Sequence, residues 1–295
     1  MAKADIAALL ALGAAFFIAI GNVMHQRSAQ EVTDEPVGNT TALFLRLLSD
    51  RQWWLGSGVA ALGFGLQAAA LGLGSVLLVQ ALLVTALLFA LPINARITGQ
   101  PVTRSQWLWA ALLAASVAVV VTVGNPTAGH QRGAVEVWTT VVVVLAPVLV
   151  ACVIGARLLS GRPAAAVLLA VVSGSLWGVF AVLTKGVVDR LAAVGQSGLW
   201  AVLGAPELYI WAAVGVAATA WQQSSFRAGS LAASLPTMTV AEPVVASILG
   251  VFVLGETLRP GEDGWVALIV AIVLMVVATT ALARSEARSG TAVGA

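Results

Sequence analysis

An all-α integral membrane protein is the fold class that this chain predicts, and three observations predict it. Hydrophobic residues make up 60% of the 295 residues and charged residues only 9%. Mean hydropathy is +0.98. Apolar runs about as long as a bilayer-spanning helix, roughly 20 residues, recur nine times along the chain. Soluble domains carry roughly 25% charged residues, so too few are present here to cover a water-facing surface, and the main solvent is lipid. A net charge of +2 gives no reason to expect nucleic acid as a partner. The lone Cys152 excludes an intrachain disulfide and a cysteine metal cluster.

The nine spans fall at 4–24, 52–71, 74–97, 105–123, 134–156, 164–186, 207–228, 230–254 and 263–283. The first follows Lys3, but Asp5 and its length argue for a retained helix rather than a cleaved leader. Spans two and three are joined only by "LGLGS", and spans seven and eight only by "RAGS", so each pair is a tight antiparallel hairpin. Two longer connections, 25–51 and 187–206, each end in a short semi-apolar piece that reads either as an interfacial helix or as a shortened, broken helix dipping into a cavity. Most basic residues, among them Arg27, Arg46, Arg96 and Arg284, fall on one set of connections. Lys3, Arg132, Lys185, Arg190 and Arg259 fall on the other. That bias places the C-terminus in the cytoplasm and the N-terminus outside. The excess of arginine over lysine and the abundance of Ala, Val and Gly suit a GC-rich bacterium, so the membrane is read as a bacterial plasma membrane.

The chain also repeats itself. Spans two to four match spans seven to nine: Gln67 falls on Gln222, Gly74-Ser75 on Gly229-Ser230, Gly99-Gln100 on Gly255-Glu256, and Trp107 near Trp265. The first span, "GAAFFIAIGNVMHQ", echoes the sixth, "GSLWGVFAVLTKG". The organisation is therefore a first repeat of four helices over 1–133 and a linking helix over 134–163. A second repeat of four follows over 164–284, and a disordered cytoplasmic tail over 285–295. Equivalent helices lie an odd number of spans apart and run in opposite directions. This is an inverted repeat, the architecture of alternating-access transporters, with the binding site near the midplane where the halves meet.

The stretch "RQWWLGSGVAALGFGLQAAALGLGSVLLVQALLVTALLFALPINARITGQPVT" resembles NIPA-type membrane proteins. The stretch "EPVVASILGVFVLGETLRPGEDGW" resembles the closing signature of the drug/metabolite transporter superfamily of EamA type: a proline-bearing helix, Gly-Glu, then a last helix. The resemblance covers nearly the whole chain to about residue 283. It implies a helical bundle with pseudo-twofold symmetry that carries a small solute or, in the NIPA branch, magnesium. The sequence departs from the NIPA pattern at Gln67 and Gly99-Gln100, where that branch tends to be acidic. Magnesium favours carboxylate and water oxygens, and the only carboxylate at mid-membrane depth is Glu242, so no metal site is assigned.

Intramembrane polar residues are costly and mark candidate sites. Glu242, followed by Pro243 midway along an apolar run, is the foremost: either a proton couples to transport through its carboxyl, or the carboxyl stays protonated and bonds a neighbouring helix. Gln67, Gln80, Gln222 and Gln223 either hydrogen-bond a solute or bind helices to one another. Trp177, between Gly174 and Gly178, offers a stacking wall or a close helix contact. Asn22 lies near one end of the first span, and Lys185 ends the sixth, where it can snorkel outward. Glu256 reads as a capping or loop contact. No catalytic constellation, phosphate loop or cofactor motif appears, so an enzyme is not expected. The expected function is secondary transport of a small organic or amphipathic solute. A divalent-cation carrier and a non-transporting subunit, as a homodimer or within a membrane-protein complex, are the alternatives.

Overall fold

The computed structural model describes residues 3–33, 51–98, 101–194, 199–228, 231–261 and 264–292. Among them the regular elements are helices: α1 (Lys3–Thr33), α2 (Arg51–Leu73), α3 (Val76–Leu83), α4 (Ala86–Thr98), α5 (Arg104–Thr122), α6 (Val135–Leu158), α7 (Pro163–Ala192), α8 (Leu199–Leu203), α9 (Pro206–Ala228), α10 (Leu231–Leu254) and α11 (Gly264–Ala292). Eight segments of the described residues are long and apolar enough to cross a membrane, Val76–Arg96 counting as one across α3 and α4. Helices are what lipid permits, because each satisfies its own backbone polar groups.

Three expectations change. The seventh predicted span forms as α9 but is not among those eight; Gln222, Gln223, Ser224 and Ser225 near its end dilute its apolar character. The third span is interrupted at Val84-Thr85, where Thr85 N–H donates to Leu82 O at 3.0 Å and the Thr85 hydroxyl also donates to Leu82 O. A β-branched pair whose hydroxyl returns to the backbone tightens the turn there. The stretch from 285, expected to be an unstructured tail, continues α11 to Ala292; its Ala, Arg and Glu residues are strong helix formers.

Local chemistry fixes the helix ends. Ser75 caps α3, accepting a bond from Leu78 N–H at 3.1 Å. Thr103 and Gln106 form a capping box on α5. Pro163 starts α7 at a position where its missing N–H costs nothing.

The packing falls into two groups. In the first, α1 packs along α2 and touches α3 and α4; in the second, α7 packs along α9 and α10. The groups meet through α2 on α7, α3 on α10 and α5 on α11. One apolar core runs through both, from Ala7, Ala11 and Leu71 through Leu87 and Leu113 to Val182, Leu249 and Leu282. The linking helix α6 rests mainly on α7 and turns Val142, Val143, Val144 and Ile154 outward. An apolar helix exposed on most of its faces is a lipid-facing surface.

Candidate functional site

Helix α7 organises the candidate site. Its Gly174 and Gly178 press against one turn of α10: a methyl group at Gly174 would meet the Ala241 side chain at 2.7 Å. One at Gly178 would meet Glu242 O and Ala246 N, each at 2.9 Å. Small residues let the two backbones approach closely where lipid supplies no hydrophobic drive. Ser173, also buried, donates to Ala218 O on α9 at 2.9 Å, so α7 is held from two sides.

Glu242 sits on that clamped turn and is half-buried. No hydrogen bond or ion pair engages its carboxyl among the described residues. Pro243, next in the helix, has no N–H, so the Thr239 carbonyl one turn earlier loses its helical partner. The Thr239 hydroxyl is turned the other way, to Leu235 O at 2.8 Å. The turn therefore presents a carboxyl and a freed carbonyl together. A crevice of about 620 Å3 lies against the same stretch of α10, lined by Val171, Thr237, Val240, Ala241, Thr280 and Arg284, and Glu242 is not among its lining residues.

The other expected residues separate into three places. Trp177 donates through Nε1 to Gln222 Oε1 at 3.2 Å, which makes this Gln a helix-to-helix tie between α7 and α9. Trp177 meets Phe180 edge-on, and Phe180 stacks on Trp211 at 5.1 Å. This aromatic wall and Gln223 line an open groove of about 550 Å3. Gln80 is buried in α3, its Nε2 without a partner among the described residues, and Gln67 is buried in α2. No hydrogen bond joins Glu242 to any of these glutamines among the described residues. The side chain of Asn22 lies outside the described residues.

Lys185 does not snorkel. Its side chain is 0% exposed, and so is that of Glu256, to which Nζ donates at 2.8 Å. Nζ donates as well to Gly74 O at 2.9 Å. The Glu256 carboxylate accepts from Val76 N–H at 2.8 Å and Leu77 N–H at 3.0 Å, the first turn of α3. An anion suits that place, because a helix N-terminus carries unsatisfied donors and partial positive charge. Gly255 takes a positive φ of 65°, turning the chain back so that Glu256 enters, and Glu256 N–H donates to Gly250 O at 3.0 Å. The expected capping contact thus forms on a helix of the other group.

Further ties gather at the same end. Thr127 and Thr257 pair across an isolated bridge, His130 N–H donates to Leu254 O, and Arg259 N–H donates to Gly124 O. Gly129 is packed so closely that a methyl group there would reach Leu254 O at 2.0 Å. Arg132 pairs with Asp189 at 2.6 Å and Arg190 with Glu207, both partly exposed. No group of three or more His, Cys, Asp and Glu side chains suited to a metal ion occurs among the described residues.

No family model and no solved structure matches the chain. An uncharacterized protein of Corynebacterium glutamicum is 36% identical to it over 284 residues, which cover 95% of this chain and 96% of the relative. Likeness of that degree over nearly the full length of both leaves one conclusion about descent. The chain belongs to the family of that corynebacterial protein.

Proposed function

We propose that this is a secondary transporter of a small organic or amphipathic solute, working by alternating access, with a proton exchanged at Glu242. One observation carries the reading. A carboxyl stands on a membrane-length helix, half-buried beside Pro243, with no partner among the described residues. An ionisable group inside a membrane is expensive and survives where it meets water, solute or ion. Solute donors would bond to the Glu242 carboxyl and the Thr239 carbonyl, and a proton would take the solute's place when it leaves. The clamp at Gly174 and Gly178 keeps that turn at fixed depth.

The packing lends support. The pairing of α1 with α2 is mirrored by α7 with α9, and that of α1 with α3 and α4 by α7 with α10. Two similarly built groups meeting across one core are what an inverted repeat of four plus four helices requires. The reading keeps the resemblance of residues 51–103 and 242–265 to NIPA-like and EamA-type transporters, and it places the protein in a bacterial plasma membrane with a cytoplasmic C-terminus.

The test uses purified protein in liposomes holding a pH-sensitive dye. Solutes of several classes are added in turn, and proton movement is followed for the parent and for Glu242→Gln. At least one class moves protons in the parent, and the Gln variant abolishes that movement while binding the same solute. Proton movement unchanged by the substitution overturns the assignment of Glu242. A rise of an entrapped Mg2+ indicator without any solute-driven signal would establish the cation reading instead.

A further inference from the structure

The buried pair formed by Lys185 and Glu256 has no part in the exchange at Glu242, yet it joins three separate pieces of the molecule. Lys185 comes from α7, Glu256 from the α10–α11 connection, and their backbone partners Gly74, Val76 and Leu77 from the α2–α3 hairpin. Two of these belong to the second packing group and one to the first.

We infer that the Lys185–Glu256 pair is a latch: it holds the end of the bundle that carries Gly74 and Glu256 closed, and it must part when that end opens. The inference rests on the transport reading for its purpose. Its geometry stands apart from that reading. A buried pair resists breaking because separation leaves two desolvated charges, unless both reach water together. Opening this end supplies that water, so the pair has two low-energy arrangements, bonded and dry or parted and wet. A contact of that kind switches rather than bends. The helix N-terminus adds direction. Glu256 is held by Val76 and Leu77 N–H groups as well as by Lys185, so α3 is released from the second group only when the carboxylate leaves both. Thr127–Thr257 and Arg132–Asp189 lie at the same end and seal its rim, but the exposure of Arg132 and Asp189 makes their pair the weaker tie.

A reporter cysteine at Val79 tests it, in a Cys152→Ala background. Val79 is 0% exposed and lies on α3, one turn in from Val76. An impermeant maleimide is applied to right-side-out and inside-out vesicles carrying the parent pair, Glu256→Gln or Lys185→Met. Lys185→Met keeps the whole carboxylate and so removes the ion pair but not the cap, whereas Glu256→Gln removes the charge and keeps one of the two acceptors that Val76 N–H and Leu77 N–H use. The expected result is slow labelling in the parent and at least tenfold faster labelling in either variant, from the Gly74 side alone. The double variant labels no faster than the singles, since all break one contact.

Unchanged labelling overturns the latch. So does faster labelling from both sides, which would mean that the pair merely holds the bundle together. Failure of both single variants to yield monodisperse protein overturns it as well, for the same reason. No solute enters this assay, so a one-sided increase would stand even if Glu242 moved no proton. Loss of the latch would likewise leave the dye experiment untouched.

Discussion

Two glutamates lie within or just beyond the same stretch of chain, and they are treated in opposite ways. Glu256 is fully buried and meets three donors: Val76 N–H, Leu77 N–H and Lys185 Nζ. Glu242, three to four turns earlier on α10, is half-buried and meets none among the described residues. A carboxylate with several buried donors has its bonding fixed by the fold. One with no donor has that capacity left for something that comes and goes. The two acids are therefore set apart by their bonding as well as by their burial.

The largest expected effect falls on the bonded glutamate. Glu256→Ala removes a charge from a buried pair, which costs about 3–5 kcal/mol, and strands two helix N–H groups besides. Unfolding in detergent followed by far-UV circular dichroism would measure the loss. A loss no larger than that of an exposed pair would break the contrast between the two acids.

Next comes the clamp that holds the unbonded glutamate at its depth. Gly178→Leu drives a side chain into Glu242 O and Ala246 N, and overpacking of that kind costs about 1–3 kcal/mol. The expected signature is a fall in stability together with loss of proton movement, because the Glu242 turn shifts. Full activity with lowered stability would show that the clamp serves only packing.

A smaller effect is expected at the tie between α7 and α9. Gln222→Leu leaves Trp177 Nε1 without its acceptor; a bond between helices in a membrane contributes about 0.6 kcal/mol on average. The aromatic wall remains, so Trp177 fluorescence shifts while the melting temperature changes little. A large fall in stability would place Gln222 with Glu256, among the groups the fold depends on.

The smallest effect on stability belongs to Glu242→Gln. With no bonded partner to lose, the change should stay within about 0.5 kcal/mol, while proton movement disappears. This pairing of a negligible structural effect with a full functional one sharpens the comparison most.

How much of this could be read from the sequence differs between the same two places. The helices were legible because lipid demands long unbroken apolar runs, and Glu242-Pro243 was legible because it interrupts one. Gly174 and Gly178 around Trp177 also pointed to the close contact that α7 makes. The Lys185–Glu256 pair was not legible as a pair. Its members lie 71 residues apart, and the other partners are backbone groups that no side-chain pattern reveals. A lysine near a predicted helix end reads as a residue that reaches water, and only the packing of three distant segments buries it. The interruption at Val84-Thr85 escaped for a different reason: both residues are compatible with an apolar helix, and the break comes from a hydroxyl returning to the backbone. The bridge of Thr127 with Thr257 spans 130 residues and carries no local signal at all.

Reactivity toward a hydrophobic carbodiimide tests the contrast between the two acids most directly, since such reagents attack a carboxyl within a membrane only where it can take up a proton. Protein in liposomes is treated with the reagent, digested and mapped by mass spectrometry. Peptides carrying Glu242 and Glu256 are compared within the same sample. Adduct is expected on Glu242, reduced when a transported solute is present, and none on Glu256, whose oxygens are held by Lys185 and the α3 backbone. Adduct on Glu256 with Glu242 untouched would contradict this, because the free acid and the bonded one would then have been assigned the wrong way round.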